Sequence, residues 1–113
     1  MNSNVIARKL EALQQKAAIR SIDVANVLQI RPETVSRWNQ GKAFPQPGAE
    51  RTLLDLEYIV DLLADLYEPQ EARTWLFARQ KALDGGIPAE LIQRGETERV
   101  LAVIKQLLDG VYV

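Results

Sequence analysis

The sequence predicts an all-α protein. Three observations support this fold class. Apolar residues recur at intervals of three and four along most of the chain, no segment alternates apolar and polar residues over the length of a strand, and proline and glycine occur where helices would begin and end. The chain has 113 residues, of which 47% are apolar and 26% charged, a composition typical of one globular domain or two very small ones.

The first helix is predicted from an apolar stripe with spacings of four, three and four residues. This stripe consists of Ile6, Leu10, Leu13 and Ala17. A second, short helix extends to about Leu28, and either Ser21 or Asp23 is expected to cap it. The third helix begins at Pro32, where a missing N–H has no cost, and ends near Gly41.

A loop is predicted at residues 42–48, which contain two prolines and one glycine. We place a boundary here, between residues 1–48 and residues 49–113. After it, a long fourth helix from about Ala49 to Tyr67 has more apolar width than a surface helix needs, so it is expected to be the central helix against which both parts pack. Its acidic residues are expected at a solvated edge, or alternatively to steer a basic partner, and are Asp55, Glu57, Asp61 and Asp65.

The rest of the chain also reads as helices. The elements are a helix from Pro69 to about Phe77, a turn at 84–86, a short helix from Pro88 to about Ile92, a stop at Gly95, and a last helix from near Glu96 to Asp109. Gly110 is predicted to end the last helix, which leaves Val111, Tyr112 and Val113 as a tail.

Composition excludes several classes of function. The chain contains no cysteine and no histidine, which removes disulfide frameworks, zinc fingers, thiol nucleophiles and histidine bases. We therefore predict no catalytic residue, no metal site and no cofactor. No apolar run reaches the 18 or so residues of a membrane span, and the first residues lack the pattern of a signal peptide. A cytoplasmic protein without membrane contact is the expectation.

The net charge of −1 hides an asymmetry between the two parts. Residues 1–48 contain seven basic and three acidic residues, whereas residues 49–113 contain seven basic and twelve acidic residues, so their net charges are +4 and −5. This asymmetry favours different partners for the two parts, with a polyanion suiting the first.

Residues 21–40 have the spacing of a helix-turn-helix, which needs apolar inner faces and a small residue where the two helices touch. The matching residues are Val24 and Leu28 on the first helix, Ala25 as the small contact, Ile30 in the turn, and Val35 and Trp38 on the second helix. Gln29 occupies the turn position where glycine is most common, so it has to adopt the turn conformation without that help.

The exposed face of the second helix of this motif supplies the candidate DNA contacts. They are Arg31, Glu33, Thr34, Ser36, Arg37, Gln40 and Lys42. In a helix-turn-helix the recognition helix places its side chains in the major groove. Arg37 suits guanine and Gln40 suits adenine, while Thr34, Ser36 and Lys42 suit phosphates. The alternative is a solvated helix face that binds no nucleic acid.

The second part contains landmarks in a characteristic order. They are Glu71–Phe77 with Trp75-Leu76 at its end, 82–92 with the Pro88-Ala89-Glu90-Leu91-Ile92 helix, Gly95, and 100–113. This order resembles the C-terminal toxin-binding domain of the Xre/MbcA/ParS-type antitoxins, which follows an Xre-like helix-turn-helix in that family. The resemblance covers essentially the whole chain. The chain departs from the family at Arg79-Gln80, where a Pro-Asn pair is frequent.

The resemblance implies the antitoxin of a type II toxin–antitoxin system. Such an antitoxin binds a RES-domain toxin, which consumes NAD, blocks its active site, and commonly regulates its own promoter through the helix-turn-helix. The implied architecture is an N-terminal Xre-like helix-turn-helix bundle joined by a long central helix to a C-terminal helical toxin-binding domain. The implied partners are the toxin and operator DNA, in a homodimer or a higher hetero-oligomer with toxin.

The candidate toxin contacts lie in the fifth helix, in the following loop and in the tail. They are Leu76, Phe77, Arg79, Gln80, Val111, Tyr112 and Val113. In one interpretation the tail enters the toxin's active site, where its terminal carboxylate mimics a dinucleotide phosphate and Tyr112 stacks in place of a base. In the other, the tail folds back on the core. Trp75 is expected in the core, with Phe77 on a different side of the helix.

Two other classes of function stay open at this point. One is a stand-alone transcriptional regulator whose second part only dimerises, with the fourth helix as the dimer seam. The other is a small enzyme or ligand-binding domain, which has little support without histidine, cysteine or a glycine-rich phosphate loop.

Overall fold

The structure, a computed structural model, describes residues 4–111, and the side chain of Val111 lies outside the description. The described residues form seven α-helices and no β-strand, which confirms the all-α fold class. The helices are α1 (Val5–Ala17), α2 (Ser21–Leu28), α3 (Pro32–Asn39), α4 (Pro47–Leu63), α5 (Pro69–Phe77), α6 (Pro88–Gln93) and α7 (Thr97–Val111). A single 3-10 turn, Lys81–Leu83, lies between α5 and α6. In the described range, no helix combines the length and the apolar character that crossing a membrane requires.

The turn between α2 and α3 has the conformation that the helix-turn-helix spacing requires. Gln29 adopts a left-handed conformation with φ 58° and ψ 46°, although it is not glycine. The amide of Ile30 donates to the carbonyl of Ala25 at 3.0 Å and closes the turn. Val35 and Trp38 of α3 are buried, as their spacing predicts.

Three predictions at helix ends were wrong. α4 spans Pro47–Leu63 rather than 49–67, because Pro47 suits its first turn and i→i+3 hydrogen bonds tighten residues 64–66 into a turn. α2 is capped at Arg20, whose amide donates to the Asp23 carboxylate at 2.8 Å, so Asp23 acts from inside the helix. α7 continues through Gly110, because glycine only weakens a helix and does not stop one.

α4 provides the centre of the hydrophobic core. It packs against α1 and α2 from the first part of the chain and against α6 and α7 from the second. Its inner residues have no exposed surface, and they are Leu53, Leu56, Ile59, Val60 and Leu63. One continuous cluster of buried residues includes side chains from both parts, from Ile6 to Ile104. The boundary predicted at residue 48 therefore does not divide the described residues into two separate cores. That the two parts bind different partners stays a prediction.

Of the four acidic residues predicted at a solvated edge, Asp61 and Asp65 are exposed as predicted, while Asp55 and Glu57 are half-buried. Three of the four also contact neighbouring helices. Glu57 pairs with Lys9 of α1 at 2.8 Å. Asp61 pairs with Lys16 of α1 at 2.6 Å. On another side of α4, Asp55 accepts a hydrogen bond from the Thr97 hydroxyl at the start of α7, at 3.0 Å. These contacts orient α1 and α7 on either side of α4.

Candidate functional site

The face of α3 predicted to contact DNA is open to solvent. Six of its seven candidate residues are exposed, and Thr34 is half-buried. The Arg37 guanidinium lies 3.5 Å from the Lys42 carbonyl, and the Gln40 amide lies 3.5 Å from the Ser36 hydroxyl. Both distances are long for hydrogen bonds, so these side chains can be redirected to a ligand.

The charge of this face is positive. Arg31, Arg37 and Lys42 carry three positive charges against the single negative charge of Glu33. None of these four side chains forms an ion pair with another described residue. Their charges are therefore not neutralised within residues 4–111, which suits contact with phosphates.

A largely buried ion pair joins the helix-turn-helix to the second part of the chain. The Arg73 guanidinium of α5 binds both carboxylate oxygens of Asp23 in α2, at 2.6 and 3.0 Å, and also donates to the Ala18 carbonyl at 2.8 Å. The side chain of Asp23 is 10% exposed and that of Arg73 is 28% exposed. Bidentate pairs of this kind fix geometry as well as charge.

Each member of this pair changes the pKa of the other. The hydrogen bonds from Arg73, helped by the Arg20 amide, lower the pKa of Asp23 below its ordinary value despite partial burial. The hydrogen bond with Asp23 raises the pKa of Arg73 above its ordinary value. Both groups are therefore held in their charged forms.

Arg73 also positions Phe77, a candidate toxin contact. The guanidinium carbon lies 5.3 Å from the centre of the Phe77 ring, a cation–π distance. Phe77 is half-buried and borders a groove of about 290 Å³ between α2, α5 and α6, the Phe77 groove. Its lining residues are Asp23, Asn26, Val27, Phe77, Ile87, Ala89, Glu90 and Gln93. A partner seated on Phe77 would therefore contact the helix-turn-helix as well.

A second groove lies beside Trp75 and has a volume of about 420 Å³. This Trp75 groove is lined by Tyr67, Gln70, Glu71, Thr74, Trp75, Ala78 and Gln80. The prediction that Trp75 and Phe77 lie on different sides of α5 is confirmed, since they line different grooves. The expectation of Trp75 in the core is only half right, because it is half-buried and packs on the edge of the core.

Leu76 does not fit its predicted role as a toxin contact. It has no exposed surface, because its position in α5 points into the core between Trp75 and Phe77. We therefore leave it out of the surface considered below.

Arg79 and Gln80 hold the loop between α5 and α6 in shape without the Pro-Asn pair of the family. The backbones of Gln80 and Gly86 pair across the loop, with the Gln80 amide 3.0 Å from the Gly86 carbonyl. The Gln80 side chain donates to the Trp75 carbonyl near the end of α5, at 3.0 Å, and Arg79 donates to the Gly85 carbonyl at 3.2 Å. Arg79 remains exposed, and Gln80 is half-buried.

Gly86 is required for the close packing of this loop on α6. A Cβ added there would lie 2.8 Å from Leu91 Cδ1 and 3.0 Å from the Leu83 carbonyl oxygen. We expect Gly86→Ala to lower the free energy of unfolding by about 1–3 kcal/mol, the usual cost of overpacking. Thermal unfolding checks this, with Gly48→Ala as the matched control, because a Cβ at Gly48 meets nothing within 4 Å. Equal melting temperatures for the two variants would contradict the prediction.

The last three candidate toxin contacts lie outside the described side chains. Tyr112 and Val113 are beyond residue 111, and of Val111 only the backbone is described, as the last helical residue of α7. Within residues 4–111, no three acidic side chains are grouped as a metal ion requires.

Sequence reasoning missed Arg73 and assigned Asp23 only a capping role. The two residues are 50 positions apart in the chain, so no local spacing relates them. The available signal was weak. Asp23 is an acidic residue on the inner face of a short helix, and a carboxylate that becomes buried needs a positive partner.

Several known proteins are similar to this chain in sequence or in structure. No model of a protein family matches the chain. The chain is 31% identical to the mycobacterial cidal antitoxin MbcA of Mycobacterium tuberculosis over 113 residues, all of both proteins, and equally to that of Mycobacterium bovis. A probable mycobacterial cidal antitoxin of Mycobacterium tuberculosis is 32% identical over 95 residues, 84% of this chain and 81% of that protein. The crystal structure of the M. tuberculosis MbcT–MbcA toxin–antitoxin complex contains a similar chain, with a TM-score of 0.84, 31% identity, and coverage of 98% of this chain and 100% of that one.

Proposed function

Because this chain belongs to the MbcA family of mycobacterial cidal antitoxins, we propose that it is the antitoxin of a type II toxin–antitoxin system, which binds a RES-domain, NAD-consuming toxin and blocks its active site. The observation that carries this proposal is the similarity of the whole chain to known antitoxins. The chain matches an antitoxin in sequence over the full length of both proteins, and it matches a chain of a toxin–antitoxin complex in structure. The protein acts by binding, without catalysis of its own.

The grooves on either side of α5 support a toxin-binding surface in the second part of the chain. Phe77 and Trp75 each offer a half-buried aromatic ring, and such rings are frequent anchors of interfaces. Arg79 and Gln80 follow them on a loop held by its own hydrogen bonds. A surface that is already ordered loses little entropy when a partner binds.

The proposed role of the tail has its own prediction. We expect a chain stopped after Gly110 to form a complex with its toxin but to fail to restore growth and cellular NAD, because the active site stays open. The full chain is expected to restore both. The measurement is co-expression with the toxin, followed by growth, NAD content and co-purification. Replacement of Val111, Tyr112 and Val113 by alanine is the matched control, since it keeps the length of the tail and hence the position of the terminal carboxylate, which truncation moves to Gly110.

Each outcome of this experiment is informative. Equal rescue by the truncated and full chains would contradict the tail mechanism and move inhibition to the surface around α5. No complex and no rescue with the full chain would contradict the antitoxin proposal itself. Rescue by the full chain and the alanine variant, but not by the truncated chain, would assign the effect to the position of the terminal carboxylate rather than to the Tyr112 ring.

The exposed, positive face of α3 supports a second part of the proposal, that the chain binds operator DNA and regulates its own promoter. We expect Arg37→Ala to cost about 1–3 kcal/mol of binding and to relax sequence preference, and Lys42→Ala to weaken all sequences alike and lower the salt slope by about one. Fluorescence anisotropy with DNA upstream of the operon measures both. Arg94→Ala, in the second part of the chain, is the control. Unchanged affinity in the Arg37 and Lys42 variants would contradict DNA binding through α3.

A further inference from the structure

The positive charge of residues 1–48 is concentrated in two places on the surface. Of the seven basic residues in this part, Lys9 and Lys16 are neutralised by carboxylates of α4, at 2.8 and 2.6 Å. Three others belong to the candidate DNA face of α3, and they are Arg31, Arg37 and Lys42. The guanidinium groups of the remaining two, Arg8 and Arg20, have no role in the candidate site described above.

Arg8 and Arg20 border the same groove, although Arg8 lies in α1 and Arg20 lies at the start of α2. The groove has a volume of about 340 Å³ and is lined by residues of α1, of the first turn of α2 and of the end of α3. Its other polar lining residues are Glu11, Gln14, Ser21 and Asn39. We call it the Arg8–Arg20 groove.

The two guanidinium charges of this groove are not cancelled by neighbouring carboxylates. Arg8 is exposed and forms no ion pair with another described residue. Arg20 has a side chain that is 66% exposed and lies 3.7 Å from Asp23, but Arg73 already binds both oxygens of that carboxylate, at 2.6 and 3.0 Å. Glu11 supplies one negative charge to the lining, so the groove remains positive.

The groove adjoins the face of α3 that is predicted to contact DNA. The Asn4 side chain at the start of α1 donates to the Trp38 carbonyl at 2.8 Å and thereby fixes α1 beside the end of α3. At 100° per residue, Asn39 of the groove lies about 60° around α3 from Ser36, a candidate DNA contact. In a helix-turn-helix bound to DNA, the first helix of the motif crosses the phosphate backbone beside the recognition helix. The groove lies at the start of that first helix, α2.

We propose that the Arg8–Arg20 groove binds phosphates of the DNA backbone beside the recognition helix, an inference that rests on the proposed DNA binding and extends it beyond α3. Guanidinium groups bind phosphate oxygens in a bidentate manner, and the amide and hydroxyl groups of Gln14, Ser21 and Asn39 suit the same oxygens. Such contacts do not distinguish bases, so the groove adds affinity and positions α3 in the major groove.

The test measures binding of the full chain to DNA by fluorescence anisotropy over a range of salt concentrations. Two duplexes of equal length are used, the DNA upstream of the operon and an unrelated sequence. We expect Arg8→Gln and Arg20→Gln each to weaken binding to both duplexes by about three- to tenfold at physiological salt, and to lower the salt slope by about one. Lys9→Gln is the matched control, because it removes the same charge from the next residue of α1, which pairs with α4. Far-UV circular dichroism verifies that each variant is folded.

Glu11 allows a test with the opposite sign. Glu11→Gln removes the negative charge from the groove and is expected to strengthen binding to both duplexes by about twofold or more, because a phosphate then meets no like charge there. Glu98→Gln is the control for net charge, since it removes an exposed carboxylate from α7. Equal binding by the Glu11 and Glu98 variants would contradict a phosphate in this groove.

Uncharged phosphates in the DNA distinguish a direct contact from a long-range effect of charge. Single backbone phosphates of the upstream duplex are replaced by methylphosphonates, one position at a time. At one or two positions, we expect the replacement to weaken binding of wild type but not to weaken further the variant that lacks the contacting arginine. If no position behaved in this way, the proposal would be overturned.

The outcomes separate this inference from the proposed function. If wild type bound the upstream DNA and Arg37→Ala weakened it, unchanged affinity and salt slope in Arg8→Gln and Arg20→Gln would overturn the inference alone. A wild-type chain that bound no DNA would contradict the proposed DNA binding and this inference with it. Intact DNA binding together with loss of toxin co-purification in both arginine variants would overturn the inference and assign the groove to the toxin.

Discussion

Replacing Trp38 with alanine is expected to lower the free energy of unfolding by about 3–5 kcal/mol, the usual loss for a buried tryptophan. Trp38 is 2% exposed and belongs to the continuous hydrophobic cluster that the described residues form. Its backbone carbonyl also accepts a hydrogen bond from the Asn4 side chain at 2.8 Å, which fixes the start of α1 against the end of α3. Alanine in place of the indole leaves a cavity among the buried residues of this cluster.

A loss of this size is a large fraction of the stability of a small domain, which is about 5–15 kcal/mol. In thermal unfolding it corresponds to a fall in Tm of about 10–25 °C. Trp75→Ala is the matched control, because it removes the same side chain from a half-buried site where water can replace it. Equal losses for the two variants would contradict the assignment of Trp38, and not Trp75, to the core.

Replacing Asp23 with asparagine is expected to lower the free energy of unfolding by about 2–3 kcal/mol. Breaking a buried ion pair by removal of one partner costs about 3–5 kcal/mol, and here the 28% exposure of Arg73 lets water reach the remaining charge. Chemical denaturation measures the change. The control is Lys16→Met, which removes an ion pair on the surface and is expected to leave the unfolding midpoint unchanged.

The same pair predicts how stability depends on pH. Arg73 lowers the pKa of Asp23 in the folded protein, so the unfolded chain, with an ordinary aspartate pKa of about 3.9, binds the proton more readily. The contribution of the pair is therefore complete above that ordinary pKa and is lost as the pH falls towards the lowered pKa of the folded state. The difference between wild type and Asp23→Asn should shrink on acidification below pH ~4. A difference that stays constant in acid would contradict the ion pair.

The pair also links the two halves of the proposed function. The Arg73 guanidinium contacts the Phe77 ring of its own helix and also binds the carboxylate of Asp23 in the helix-turn-helix. The Phe77 groove includes residues of α2, so the proposed toxin surface and the helix-turn-helix share a wall. Variants of Asp23 should accordingly be scored for toxin binding as well as for stability.

Local signals in the sequence were sufficient for the fold class and for most helix starts. Pro32, Pro69 and Pro88 each occupy the first turn of a helix, as their missing N–H predicts. The helix-turn-helix spacing also placed Ala25, Val35 and Trp38 in the core. The family resemblance drawn from the landmarks of the second part is confirmed by the antitoxins that match the full chain.

Some predictions were wrong because a signal from one or two residues does not determine where a helix ends or which of its faces is buried. Gly110 is a possible helix end, yet α7 continues to Val111, because a glycine lowers helix stability without ending the hydrogen-bonded helix. Trp75 and Leu76 were both read from residue type, but the rotation of α5 on the core buries Leu76 completely and leaves Trp75 at the edge. The rotation of α5 cannot be derived from the sequence of that helix alone, because it depends on the elements that pack against the helix.

The helices, their order, the helix-turn-helix spacing and the family can be read from the residues, since each depends on residues close together in the chain or on their type. The other features arise only when the helices pack, and they are the Asp23–Arg73 pair and the two grooves beside α5. These features join or expose residues that are distant in sequence. Their energies come from burial and from opposite charges brought together, and neither exists until the helices pack.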